Sequence, residues 1–301
     1  MSSVSPTPPV ESAQRLLKSV PLPSRRHQNP PLPLSPQEFA ESKKQIHSGW
    51  EQQTILSLLE NPGTKGFKYH LQHGCTLFLI TPEPQTAYRI AETVDMILRW
   101  LGAATGFKIY LWYRDDLRQL RVNQWPTKTQ VNGGWTTVGT PNIVIYRKEE
   151  WERVLIHELI HAMHWDWKVD STPKSCWKLK KTDKLNPHLF EAWTELYAEW
   201  LICAVYGTSW ATQRKHQDFQ AIQLLARAKR GWQENTSVFA YYVLKAALAP
   251  HFEFLWAFGE GKTPEEHSYV MCSLVTPELN RLRQQAEHTT PQDISLRMST
   301  M

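Results

Sequence analysis

At 301 residues the chain is long enough for one large domain or two small ones. Hydrophobic residues make up 41% and charged residues 21%, the mix of an ordinary soluble globular protein, and no apolar run approaches the length that spans a bilayer. The formal charge of +5 tolerates an anionic partner but is too small to demand nucleic acid, whose binders concentrate Lys and Arg far more.

The first 34 residues read as a disordered Pro-rich tail ending in Asn29-Pro30-Pro31-Leu32-Pro33-Leu34. The tail lacks the apolar centre of a secretory signal; an organelle transit peptide is the alternative to plain disorder, although the tail's prolines spoil the amphipathic helix such peptides form. Order is expected to begin at Ser35-Pro36-Gln37-Glu38, a capping-box helix start. The run Cys75-Thr76-Leu77-Phe78-Leu79-Ile80 predicts a buried strand. A helix follows from Pro82, with apolar residues at Ile90, Ala91, Val94, Ile97, Leu98 and Leu101, closed by Gly102. Phe107–Tyr113 predicts a second strand, and Gly133–Val138 and Asn142–Tyr146 two more around a Gly139-Thr140-Pro141 turn.

From Lys148 onward the pattern turns helical. One helix is predicted over about 149–165, and a second from Asn186-Pro187 to just before Gly207, with a basic irregular stretch between them. The expected architecture is α+β: a tail at 1–34, an N-lobe with a small twisted sheet and helices over 35–165, a helical C-lobe over 166–290 and a flexible tail at 291–301, with a cleft between the lobes. The cysteines Cys75, Cys176, Cys203 and Cys272 contain no CxxC pair. That spacing argues against a disulfide scaffold or zinc ribbon and sets a reducing, cytoplasmic compartment as the default.

The chemistry concentrates in His157-Glu158-Leu159-Ile160-His161. Residues four apart share a helix face, so both imidazoles can reach one zinc at about 2.0–2.1 Å. Glu158, rotated about 100° from His157, can take a proton from water acidified by the metal without binding the metal itself. The motif lies in Val154–Met163, apolar on both sides, where a polar pair is costly unless satisfied. The competing reading is two hydrogen-bonded core histidines.

A third ligand is needed. The position ten residues after His157 is Trp167, which excludes a metzincin-type third histidine. His164 and Asp166 are local candidates. The better one is Glu191 in Phe190-Glu191-Ala192-Trp193-Thr194-Glu195, where Glu191 and Glu195 share a face of an otherwise apolar helix. A solvated face carrying Glu191, Glu195 and Glu199 is the plainer alternative. Tyr241 and Tyr242, with Lys245 a turn on, are candidates for stabilising an oxyanion; ordinary core tyrosines are the plainer reading there.

HExxH followed by Glu-Ala-Trp-Thr-Glu on the next helix resembles the gluzincins, the thermolysin-like zinc metallopeptidases, over roughly residues 131–206. The approach from Asn132-Gly133-Gly134 to Trp151 more weakly resembles metallopeptidase-like proteins of large DNA viruses and protists. The first resemblance implies a zincin-like fold with the active-site helix at the cleft and one zinc per chain. It makes His157, His161 and Glu191 the ligands, Glu158 the general base, and Glu195 the residue that orients a ligand histidine. It also implies an edge strand, Asn132–Val138 or Asn142–Tyr146, along which peptide substrates lie. Two departures stand out: Glu191 follows His161 by thirty residues, and Phe190 replaces the Asn of the family motif. The expected partner is a peptide or protein substrate, with no nucleic acid and no membrane. The alternatives are a zinc hydrolase of another bond or an inactive zincin-like binding module.

Overall fold

A computed structural model describes residues 31–46, 49–71, 74–102, 106–115, 117–136, 140–166, 185, 188–228, 232–259 and 262–300. The expectations for 1–30, the Lys-rich stretch 167–184, the Asn186-Pro187 helix start and Gly139 lie outside these residues. The protein is α+β. Two compact units divide it between His164 and Trp165, and residues 118–131 belong with the helical unit.

The sheet unit is a six-stranded mixed sheet. Its strands are β1 (Leu32–Pro33), β2 (Lys65–His70), β3 (Thr76–Thr81), β4 (Lys108–Trp112), β6 (Gly134–Thr136) and β7 (Asn142–Ile145), in the order β1-β2-β3-β4-β7-β6. Strands β3, β4 and β7 run parallel, with Leu77 opposite Ile109 and Ile109 opposite Ile143. Strand alternation then sorts the side chains. Ile80, Tyr110, Trp112, Val144 and Tyr146 share one core with Ile46, just past helix α1 (Pro36–Lys44), and with Ile55 and Leu58 of α2 (Gly49–Glu60). The opposite face carries Leu77, Leu79, Ile109, Leu111, Ile143 and Ile145, all fully buried. Helix α3 (Ala87–Trp100) connects β3 to β4, and buries Ile90, Ala91, Val94, Ile97 and Leu98, the stripe its 3.6-residue period predicts.

Order starts earlier than the sequence implies. The capping box forms as expected, with Ser35 Oγ accepting from Glu38 N at 3.2 Å and Glu38 Oε2 accepting from Ser35 N at 3.0 Å. However, Leu32–Pro33, assigned to the tail, already pairs with β2, and Leu34 N donates to Gly66 O at 3.1 Å. A proline survives at a sheet edge because its missing N–H is not needed there. Gly66 admits the neighbour: a Cβ at that position would lie 2.7 Å from Leu34 Cδ1.

The helical unit contains α4 (Lys128–Val131), α6 (Leu189–Tyr206), α7 (Trp210–Arg227), a π-helical turn (Phe239–Leu244) continuing into α8 (Lys245–Leu248), then α9 (Phe252–Gly259) and α10 (Pro264–Glu287). Gly207 ends α6 in the left-handed conformation, φ 68°. Trp193, Tyr197 and Trp200 of α6 meet Phe252 with ring centroids 5.3–6.3 Å apart, and Tyr197 meets Trp256 at 4.7 Å. This aromatic layer holds Trp193, Trp200 and Trp256, three of the chain's fourteen tryptophans.

The expected flexible tail at 291–301 is ordered over its described residues. Strand β8 (Ile294–Ser295) pairs antiparallel with β5 (Gln119–Leu120), and Ile294, Leu296 and Met298 are buried. Cys75 and Cys203 are buried free thiols. Among the described residues no helix is long and apolar enough to cross a membrane.

Candidate metal centre

Helix α5 (Trp151–Ala162) carries the HExxH motif and is shorter at both ends than its apolar pattern suggests. The chain enters it through Glu150 in a left-handed conformation, φ 61°, and leaves it through His164, also left-handed at φ 57°. Such backbone is strained for a non-glycine residue. At the entrance the Glu150 side chain, 1% exposed, is paired with Arg153 at 3.8 Å. At the exit the helix ends at Ala162, one residue after His161.

Helix α5 packs on the sheet face that Gly134 faces. A Cβ added to Gly134 would lie 2.7 Å from Val144 O, 2.8 Å from Val154 Cγ1 and 3.5 Å from Glu158 Cγ. Only glycine allows strand and helix to approach this closely. Strand β6, which contains Gly134, is an edge of the sheet, while β7 lies inside it between β4 and β6. Of the two strands expected to border the site, Asn142–Ile145 is therefore interior and Gly134–Thr136 is the edge. The Gly133-Gly134 doublet was the sequence signal for this close approach.

His157, Glu158 and His161 are 7%, 6% and 7% exposed. The two imidazoles face each other, with Nε2 atoms 3.0 Å apart, ring centroids 4.6 Å apart and planes crossing at 78°. Two nitrogens on one tetrahedral zinc, each at 2.0–2.1 Å, would sit about 3.3 Å apart. The observed spacing fits a shared ion with only a slight opening. It equally fits a single N–H···N hydrogen bond, and the two states differ by one metal ion replacing one proton.

Glu191 joins this pair: one ligand atom from each of His157, His161 and Glu191 lies within 4.8 Å of the others. Two imidazoles and one carboxylate form a donor set suited to zinc with coordination positions left over. His164 is exposed and outside this group. Glu195, one turn beyond Glu191 on α6, is 2% exposed, and Asp166 is 8% exposed.

Tyr241, Tyr242 and Glu199 lie in the helical unit. Tyr242 is fully buried, and its hydroxyl donates to Leu296 O at 2.8 Å. A phenol has one proton to give, and here it is directed at a main-chain carbonyl of the same unit. Tyr241, at the next position back, is partly buried. Glu199, the carboxylate the sequence would leave in solvent, is 0% exposed and paired with the equally buried Lys245. Gln213 donates to its other oxygen at 2.9 Å, as does Gln217. Burial pushes the Glu199 carboxyl up, against the pull of Lys245. Burial likewise pushes the Cys203 thiol, one turn on, up to about 12, which makes it unreactive.

No family model, no curated protein and no solved structure matches the chain.

Proposed function

We propose that the protein is a zinc-dependent peptidase with a zincin-like arrangement, in which His157, His161 and Glu191 hold one zinc ion and Glu158 is the general base. The observation that carries this reading is the facing pair of buried imidazoles on one turn of α5, with a third ligand atom from Glu191 within 4.8 Å. A zinc ion held by these residues supplies Lewis acidity, polarising a substrate carbonyl and making water a nucleophile near neutral pH.

The protein's own groups do the rest. Glu158 follows His157 on the helix, so its carboxylate diverges from the ligand direction and is placed to act on water rather than to ligate. It takes the proton from the attacking water and returns it to the departing amine nitrogen. Burial at 6% exposure strengthens both electrostatic roles. Beside it, edge strand β6 offers main-chain groups on which an extended substrate can pair regardless of its side chains. A purely structural metal site would gain nothing from a base beside the ligands, which favours catalysis over a zinc-stapled module. Hydrolysis of a non-peptide bond would use the same groups, and the edge strand favours peptides.

The test is metal content and cleavage measured on one preparation. The purified protein should carry about one zinc per chain, His157→Ala and His161→Ala should lose it, and Glu191→Ala should weaken it strongly. Cleavage of a mixed peptide library should stop on chelation and return with zinc. A histidine variant that keeps full zinc occupancy contradicts the site.

A further inference from the structure

The segment after α10 is held as a peptide would be. Four consecutive carbonyls are each met by a side-chain donor: Ser295 O by Gln220 Nε2 at 2.9 Å, Leu296 O by the Tyr242 hydroxyl at 2.8 Å, Arg297 O by Gln220 and His216, and Met298 O by Gln213 Nε2. At the two ends, Gln223 Oε1 accepts from Gln292 N at 3.0 Å, Arg227 donates to Gln292 O, and Gln213 Oε1 accepts from Thr300 N at 3.0 Å. Apart from Tyr242, these donors and acceptors form one face of α7, at positions 213, 216, 220, 223 and 227. That is the spacing of successive helical turns.

The other side of the segment is read as a strand. Leu120 and Gln119 pair with Ile294 and Ser295, and Leu296 N donates to Arg118 O at 2.6 Å. Side chains at every second position, Ile294, Leu296 and Met298, are buried at 3%, 0% and 2% exposure, while Ser295 and Arg297 are half-buried. Recognition thus has two parts: main-chain bonds indifferent to sequence, and apolar seats for alternate residues. This is how extended peptides are bound by strand addition.

We propose that α7 and β5 form a peptide-binding groove whose resident occupant is the chain's own segment 292–300, an intramolecular ligand that is separable from the body and exchangeable. The chemistry of the partner follows: an extended peptide with apolar residues at three alternate positions. Gln213 and Gln220, which donate to the segment, are each 0% exposed, and buried amides are costly when unpaired. The groove therefore favours being filled, by this segment or by a peptide like it. The inference is independent of the metal centre. It has one link to α6, because the Gln213 amide serves both Met298 O and Glu199.

The experiment uses the full chain with a protease site inserted between Thr290 and Pro291, cut after folding. The released fragment should stay with the body on gel filtration, and a labelled synthetic peptide of residues 291–301 should exchange with it. Replacing both Ser295 and Arg297 by Ala in that peptide should change its affinity by less than about 10-fold, whereas Leu296→Asp should weaken it at least ~10-fold by placing a charge in an apolar seat. Loss of the fragment on cutting, with no binding of the labelled peptide to a body that keeps its melting temperature, overturns the proposal. A body that unfolds on cutting overturns it too, because the segment is then core and not ligand. A concentration-dependent dimer of the uncut chain, formed by trading this segment between copies, counts against the intramolecular assignment.

Discussion

Two groups of buried polar side chains solve the same desolvation problem in opposite ways. In the helical unit, Glu199 meets Lys245, Gln213 and Gln217, so both of its oxygens are answered and its charge is balanced. In the sheet unit, His157 and His161 turn like atoms toward each other at 3.0 Å, an arrangement that one proton serves only by pairing donor with acceptor. The first group answers its carboxylate from within the unit. The second turns two imidazole nitrogens toward each other, with the buried Glu158 carboxyl one residue along the helix. Burial of charge alone does not mark a functional site; convergence of donors of one kind does.

The sharpest way to break the comparison is to unbalance the closed group. Lys245→Met leaves Glu199 buried without its cation and should destabilise the fold by about 3–5 kcal/mol, read by denaturant unfolding. Changing both partners, Glu199→Leu with Lys245→Met, should recover most of that loss, as expected for a group whose role is packing. If the single variant stays stable but loses zinc, the group belongs to the site and the contrast fails.

The next two effects probe how α5 and α6 present the open group. Glu195→Ala should lower zinc affinity by the roughly 10–100-fold typical of residues that orient ligands, with little change in melting temperature. Gly134→Ala forces a Cβ to within 3 Å of Val144 O and Val154 Cγ1. It should cost about 1–3 kcal/mol of stability by overpacking, and should lower activity more than zinc content because it displaces the helix beside Glu158.

The smallest effect belongs to an ion pair at the surface of the sheet unit. The hydrogen bond from Lys68 Nζ, 2.8 Å away, holds the Glu38 carboxyl down to about 2. A carboxyl depressed in the folded state contributes stability above its ordinary value near 4.5, and that stability is lost as pH falls from there toward 2. Because the pair is a quarter exposed, Lys68→Met should cost only a few tenths of a kcal/mol at neutral pH, with the difference vanishing in acid.

What the sequence made legible follows from the range over which its signals act. The HExxH pair, the apolar strands and the capping box at Ser35 depend on residues within one or two turns, and all appear close to where the pattern puts them. The helix bearing Glu191 was readable for the same reason. Partners distant in sequence were not. Glu199 looks like one more surface glutamate until Lys245, 46 residues on, is brought to it. The bond from the Tyr242 hydroxyl to Leu296 O, 54 residues on, is hidden in the same way. The segment 291–300 carries no long periodic run, and its order depends on glutamines of α7 that composition alone would assign to solvent.

The central claim is that the open group is a catalyst, and Glu158→Gln tests it most directly. The substitution keeps size and polarity but removes the ability to accept a proton at neutral pH. Zinc content by mass spectrometry and melting temperature by calorimetry should remain near wild type, while chelator-sensitive peptide hydrolysis falls by about 10²–10⁴-fold. Equal hydrolysis by wild type and Glu158→Gln, at equal zinc content, would contradict the account.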